Sequence, residues 1–242
     1  MVNGDNFFVK DFYLTYLFLE VLNMEDKEIL GYIDHTLLKA FATWDEIVAL
    51  CDEAVKYGTA SVCIPQSFIK RVHEKYGDKL TVCTVIGFPL GYNTTHSKVV
   101  EALDSIEAGA TEIDTVVNIG DVKDGRFDEV KKELMEIRKA TEGHCLKVII
   151  ETCYLTDEEK KKLCQIVTEV KADFIKTSTG FGTAGATVED VKLFAQNIGP
   201  DVKIKAAGGI RTIEDAKAMI DAGASRLGSS AVAPLIGAKY NM

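Results

Sequence analysis

The sequence predicts an α/β protein, a single (β/α)8 barrel with eight parallel strands and an N-terminal extension. Three observations carry that reading. Short β-branched runs alternate with stretches of 3.6-residue apolar period. The same small-residue stop separates helix from strand four times. The 242 residues accommodate eight βα units of about 30 residues each, close to the typical size of such a barrel.

The stops are Tyr57-Gly58-Thr59-Ala60 before Ser61-Val62-Cys63-Ile64, Ala108-Gly109-Ala110 before Glu112-Ile113-Asp114, Lys171-Ala172 before Asp173-Phe174-Ile175-Lys176, and Ala222-Gly223-Ala224 before Ser225-Arg226-Leu227-Gly228. A glycine just past a helix ends it, and a two- or three-residue αβ loop suits parallel strands. The strands are expected near 31–36, 60–64, 80–87, 112–117, 145–151, 173–178, 202–207 and 225–229. Between them run six apolar helical stripes: Trp44, Ile47, Val48, Cys51, Ala54 and Val55; Val99, Val100, Leu103 and Ile106; Phe127, Val130, Leu134 and Ile137; Leu163, Ile166, Val167 and Val170; Val188, Val191, Phe194 and Ile198; Ile213, Ala216, Met219 and Ile220. Thr43, Thr94, Thr156, Thr187 and Thr212 stand where N-caps belong. An open doubly wound sheet would want a G-x-G-x-x-G at its first βα turn, where the chain has Asp34-His35-Thr36-Leu37-Leu38-Lys39.

Residues 24–242 are thus expected to form the barrel. Residues 1–23 are expected to be an N-terminal extension, either an added helix or a dispensable upstream segment. Its apolar patches are interrupted by Lys10, Asp11 and Glu20, too often for a signal peptide or a membrane span. The six cysteines form no C-x-x-C pair and read as reduced thiols, so a cytoplasmic location is expected. Lys and Arg number 28 against 37 Asp and Glu, a net charge of −9, which argues against nucleic acid as a partner.

Barrel active sites lie at the C-terminal strand ends, where three charges interrupt apolar strands: Asp114, Lys176 and Lys205. Buried charges must be compensated or shift their pKa values, so a structural ion pair and a catalytic group both fit. Two lysines on the adjacent strands six and seven would repel each other. Such repulsion generates a neutral amine, the nucleophile of a Schiff base. Thr177-Ser178-Thr179-Gly180, Ala206-Ala207-Gly208-Gly209 and Gly228-Ser229-Ser230 end strands six to eight, where backbone N–H groups can hold a phosphate. The four histidines show no metal spacing, so neither a metal nor another cofactor is expected. A phosphosugar isomerase or synthase would need a carboxylate or cysteine base but no paired lysines. A non-catalytic phosphosugar-binding barrel would keep only the glycines.

Phe174-Ile175-Lys176-Thr177-Ser178-Thr179-Gly180-Phe181 and Lys205-Ala206-Ala207-Gly208-Gly209-Ile210-Arg211, with Ile33-Asp34-His35-Thr36-Leu37-Leu38 and Glu112-Ile113-Asp114, resemble the deoxyribose-phosphate aldolase family in motif order from about residue 28 to 231. The resemblance implies a metal-independent class I aldolase on a (β/α)8 barrel. It would interconvert 2-deoxy-D-ribose 5-phosphate with D-glyceraldehyde 3-phosphate and acetaldehyde, in deoxyribonucleoside catabolism. Lys176 would form the Schiff base, with Lys205 and Asp114 as activating cation and proton relay. Asp34, Thr36 and Thr179 would lie near a sugar hydroxyl, and Gly180, Gly208, Gly209, Gly228, Ser229 and Ser230 around the phosphate. A homo-oligomer, dimer or tetramer, is implied too. Some members use a tyrosine near the chain end, where this chain has Tyr240. It departs from the family at Cys63-Ile64-Pro65, where Asn or Tyr often precedes the proline.

Overall fold

The structure is a computed structural model describing residues 26–242. The extension expected over residues 1–23 lies outside the described residues. Eight parallel strands close into a barrel in chain order: β1 (Ile33–Thr36), β2 (Ser61–Cys63), β3 (Val82–Ile86), β4 (Glu112–Val116), β5 (Cys145–Ile149), β6 (Phe174–Lys176), β7 (Lys203–Ala207) and β8 (Arg226–Ser229), with β8 pairing back onto β1. Each observed strand is one or two residues shorter than expected at one or both ends. In β6 the pairing stops at Lys176, although the Thr177 N–H still donates to the Lys205 carbonyl at 3.1 Å.

Side chains alternate across a strand, and here that alternation sorts the chemistry. Ile113, Leu146, Ile175, Ile204 and Leu227 belong to the apolar core that includes residues of the helical ring. Their neighbours Asp114, Lys147, Lys176, Lys205 and Arg226 meet inside the barrel.

All five threonines cap helices. Thr43, Thr94, Thr156, Thr187 and Thr212 accept backbone N–H groups at the starts of helices Trp44–Tyr57, Thr95–Glu107, Asp157–Glu169, Val188–Asn197 and Ile213–Asp221. Two stripes need correction. On Thr95–Glu107 the buried residues are Lys98, Ala102 and Ser105, while Val100 and Leu103 are exposed. Lys98 turns inward because its ammonium is bound by Glu133 Oε1 at 2.6 Å and the Val116 carbonyl at 2.8 Å. On Trp44–Tyr57 Leu50 is buried and Val55 exposed. Its buried face runs through Ile47, Leu50, Cys51 and Ala54, a rotation from the stripe that apolar counting alone picks out.

Tyr240 lies just past the last helix, Val232–Lys239, and donates its hydroxyl to Asp26 Oδ2 at 2.6 Å. Asp26 precedes the 3-10 turn Ile29–Tyr32 that leads into β1, so this tyrosine is tied to the N-terminal end of the barrel, opposite the strand ends that carry the site. No helix among the described residues is long and apolar enough to cross a membrane.

Candidate active site

A cavity of about 450 Å³ opens at the C-terminal ends of β1, β6, β7 and β8. Thr36, Lys176, Thr179, Gly180, Gly208, Gly209, Gly228, Ser229 and Ser230 all line it, together with Leu38, Lys39, Phe181 and Arg211. Lys176 is the last residue of β6 and brings its amine to the cavity floor. Gly208 and Gly209 have φ of +82° and +80°, conformations that side chains disfavour, so their loop turns tightly over the end of β7. Ser229 accepts the N–H groups of Ala231 and Val232 at 3.1 and 3.3 Å and donates to the Ile210 carbonyl at 2.9 Å. It thereby ties the β8 loop, and the N-terminus of helix Val232–Lys239, to the β7 loop.

Beneath the cavity lies a buried charge cluster. Strand register sets it: Lys176 stands opposite Lys205, Asp114 opposite Lys147, and Lys205 opposite Arg226. Asp114 Oδ2 receives Lys176 Nζ at 2.8 Å and Lys205 Nζ at 2.7 Å, while its Oδ1 receives Lys147 Nζ at 2.8 Å and the Cys83 thiol at 3.2 Å. Burial alone would raise the Asp114 carboxyl, but Lys147, Lys176 and Lys205 hold it well below the usual carboxylate range. Burial would also strip the proton from Lys205, yet Asp114 and Asp34 hold its pKa above the usual lysine value. Lys147 is likewise raised, with Asp114 leading the groups that oppose its desolvation. The repulsion expected between the two strand-end lysines is therefore met by a carboxylate lying between them.

Asp34 does not line the cavity. It is fully buried, Oδ1 accepting from Ser61 Oγ and Arg226 Nη1 at 2.7 Å each and Oδ2 facing Lys205 Nζ at 2.5 Å. Mid-strand on β1, it points into the barrel below the place where a sugar hydroxyl was expected; Thr36, two residues on, reaches the cavity.

Sequence reading missed Lys147, Glu112, Arg226, Cys83 and Glu151. Lys147 had the same signal as Lys176, a charge inside an apolar strand; Glu112 is its partner across the barrel floor, and Glu112 in turn binds Arg226. Potential metal donors also gather where spacing showed none: Cys63, Cys83 and Asp114 have ligand atoms within 4.8 Å of one another. The Lys147 ammonium binds Cys83 Sγ and Asp114 Oδ1, and a fixed cation among those donors opposes a second one.

A closed parallel barrel with a cavity-lining lysine bound to a buried carboxylate, below glycine-rich strand ends, defines a barrel enzyme of the aldolase class. The sequence matches the DeoC/LacD family aldolase model over residues 29–238. It is 57% identical over 210 residues to a deoxyribose-phosphate aldolase of Clostridioides difficile (strain 630), covering 87% of this chain and 96% of that one. It is 55% identical over 213 residues to a protein of the same name from Clostridium botulinum (strain Alaska E43 / Type E3), covering 88% and 96%. The solved deoxyribose phosphate aldolase of Aeropyrum pernix, described as having a unique tetrameric structure, superposes with a TM-score of 0.82 at 31% identity, over 90% of this chain and 93% of that one. The chain belongs to the DeoC/LacD aldolase family.

Proposed function

We propose that the protein reversibly cleaves 2-deoxy-D-ribose 5-phosphate to D-glyceraldehyde 3-phosphate and acetaldehyde through a Schiff base on Lys176. The observation that carries the Schiff-base step is the position of Lys176, whose side chain both lines the cavity and touches Asp114. The barrel floor holds three carboxylates, Asp34, Glu112 and Asp114, against four cations, Lys147, Lys176, Lys205 and Arg226. Lys176, the one of these cations that borders the cavity, must give up its proton to attack a carbonyl.

The neutral amine of Lys176 adds to the substrate's C1 aldehyde, and loss of water leaves an iminium. The C2–C3 bond then breaks: its electrons pass into the iminium to give an enamine, and the C3 hydroxyl loses its proton to become the aldehyde of glyceraldehyde 3-phosphate. Protonation of the enamine carbon and hydrolysis release acetaldehyde and free Lys176. Asp114 Oδ2, in contact with both Lys176 and Lys205, is placed to pass protons between them, with Lys205 as the resident ammonium. Thr36 and Thr179 would contact the sugar. Gly180, Gly208, Gly209, Gly228, Ser229 and Ser230 would surround its phosphate, Asp34 supporting Lys205 from below.

The reaction calls on no metal or other cofactor, because the protonated imine withdraws electrons as a metal ion otherwise would. A cytoplasmic role in deoxyribonucleoside catabolism and self-association into a dimer or tetramer fit this reading, the latter to be measured by light scattering. Borohydride reduction in the presence of acetaldehyde, followed by peptide mass mapping, tests the central step: the ethyl group should appear on Lys176, and its appearance on another lysine, or on none, would refute the assignment.

A further inference from the structure

Among the described residues three that are not glycine have positive φ, and of these Glu151, at φ 54°, is buried whereas Lys171 and Asn241 are exposed. A buried side chain held in a left-handed backbone conformation is a sign of constraint at a working part of a fold. Glu151 lies two residues past β5, and its carboxylate reaches the loop that follows β6. Oε1 accepts the Thr179 N–H at 3.2 Å, and Oε2 accepts the Thr179 hydroxyl. Thr179 Oγ1 in turn accepts the Phe181 N–H at 3.0 Å. At Gly182 a Cβ would stand 2.9 Å from Cys153 Sγ and 3.1 Å from the Glu151 carboxyl carbon, so glycine lets the loop close onto this carboxylate. Glu151 does not line the cavity, but Thr179, Gly180 and Phe181 do.

A threonine hydroxyl has one hydrogen to give and two lone pairs to receive with. The Thr179 hydrogen goes to Glu151 Oε2, whose partner oxygen already accepts the Thr179 N–H, and one lone pair is taken by Phe181. What remains is a single acceptor position, on a residue that lines the cavity. We propose that Glu151 is a positioning residue that fixes Thr179 as a hydrogen-bond acceptor in the cavity wall, so that the site selects a substrate presenting a hydroxyl donor there. The inference rests on the aldolase reading above, which places a sugar hydroxyl beside Thr179, and adds the group that sets the direction of that hydrogen bond.

Two variants separate the carboxylate from the backbone conformation. In Glu151→Gln the amide can donate to Thr179 Oγ1, which frees the hydroxyl hydrogen to point into the cavity. Glu151→Asn keeps a residue type that tolerates positive φ but shortens the side chain. Each would be assayed for kcat/KM on 2-deoxy-D-ribose 5-phosphate and for borohydride trapping of acetaldehyde on Lys176, since acetaldehyde carries no hydroxyl. Both variants should lose about 10- to 100-fold in cleavage, the range expected when a buried hydrogen-bonding group is left unpaired, and both should trap acetaldehyde within about twofold of the parent protein. Glu151→Gln combined with Thr179→Val should cleave no worse than Thr179→Val alone. Loss of trapping in step with cleavage would reduce Glu151 to holding the fold; full cleavage in either variant, or additive losses in the double variant, would also overturn the proposal. A parent protein that neither cleaves nor traps would overturn the aldolase reading, and this inference with it.

Discussion

Lys176 and Lys205 stand opposite each other in the register of β6 and β7, and both donate to one oxygen, Asp114 Oδ2, at 2.8 and 2.7 Å. Two lysines on neighbouring strands are tolerated because a carboxylate 62 and 91 residues away in sequence lies between them. Only one of the two amines also borders the cavity.

The two lysines should therefore fail differently when replaced. Lys176→Arg keeps the charge and removes the nucleophile, so borohydride should trap no acetaldehyde on it at any pH. Lys205→Leu retains Lys176 and should still trap aldehyde, most readily at raised pH, while its turnover falls by about 100-fold or more through loss of the resident ammonium. Trapping that persists in the Lys176 variant and vanishes in the Lys205 variant would reverse the roles.

Removing the shared anion should cost stability as well as activity. Asp114→Asn leaves Lys147, Lys176 and Lys205 buried without their common partner, a loss of about 3–5 kcal/mol by analogy with other broken buried pairs. Urea denaturation measures it, and a midpoint unchanged from the parent protein would contradict the ion network.

The same network sets a pH window. Asp114 has its folded pKa depressed below the ordinary 3.8, so its contribution to stability is complete above that value and is lost as pH falls toward the folded pKa. Lys147 and Lys205 have folded pKa values raised above the ordinary 10.5, so their contribution is complete below 10.5 and is lost as pH climbs through the raised values. Stability measured by denaturation should hold on a plateau between these limits. In the Asp114→Asn protein the acid-side slope should become shallower, because one of the groups that binds a proton on unfolding is gone while Asp34, also depressed in the folded state, remains.

Phosphate recognition is tested at Gly209, where a Cβ meets nothing within 4 Å although φ is +80°. Gly209→Asp brings a negative charge to the expected anion position and should reduce the preference for deoxyribose 5-phosphate over free deoxyribose by about tenfold or more. Gly209→Ala carries the same backbone strain without the charge and should keep most of the preference. Equal ratios of kcat/KM in all three proteins would move the phosphate elsewhere.

Gly185 supports that loop from outside the cavity. A Cβ there would collide with the Gly208 carbonyl, which accepts the Ala186 N–H at 3.0 Å. Gly185→Ala should displace the Gly208-Gly209 turn, lowering stability by about 1–3 kcal/mol and weakening KM for the phosphorylated substrate more than for free deoxyribose. Matching KM changes for both substrates would argue that the turn does not touch phosphate.

The sequence by itself determined the barrel and most of the cavity lining. Both rest on local rules: capping threonines, helix-ending glycines and strand alternation act over a few residues, and glycine clusters at strand ends announce themselves in order. Alternation alone already places Asp114, Lys176 and Lys205 off the outward face that carries Ile113, Ile175 and Ile204. What only the tertiary structure decided is how those charges are partnered. Barrel closure brings β1 against β8 and sets Asp34 beneath Lys205, away from the cavity. It gathers Lys147 and Cys83 onto the second oxygen of Asp114. It also hangs Thr179 on Glu151, a glutamate with a left-handed backbone angle. Helix rotation belongs with these, since Lys98 turns inward for a carboxylate 35 residues away while Val100 and Leu103 face out. Local periodicity says which side of an element is apolar; the partners of a buried charge lie at sequence separations that periodicity does not encode.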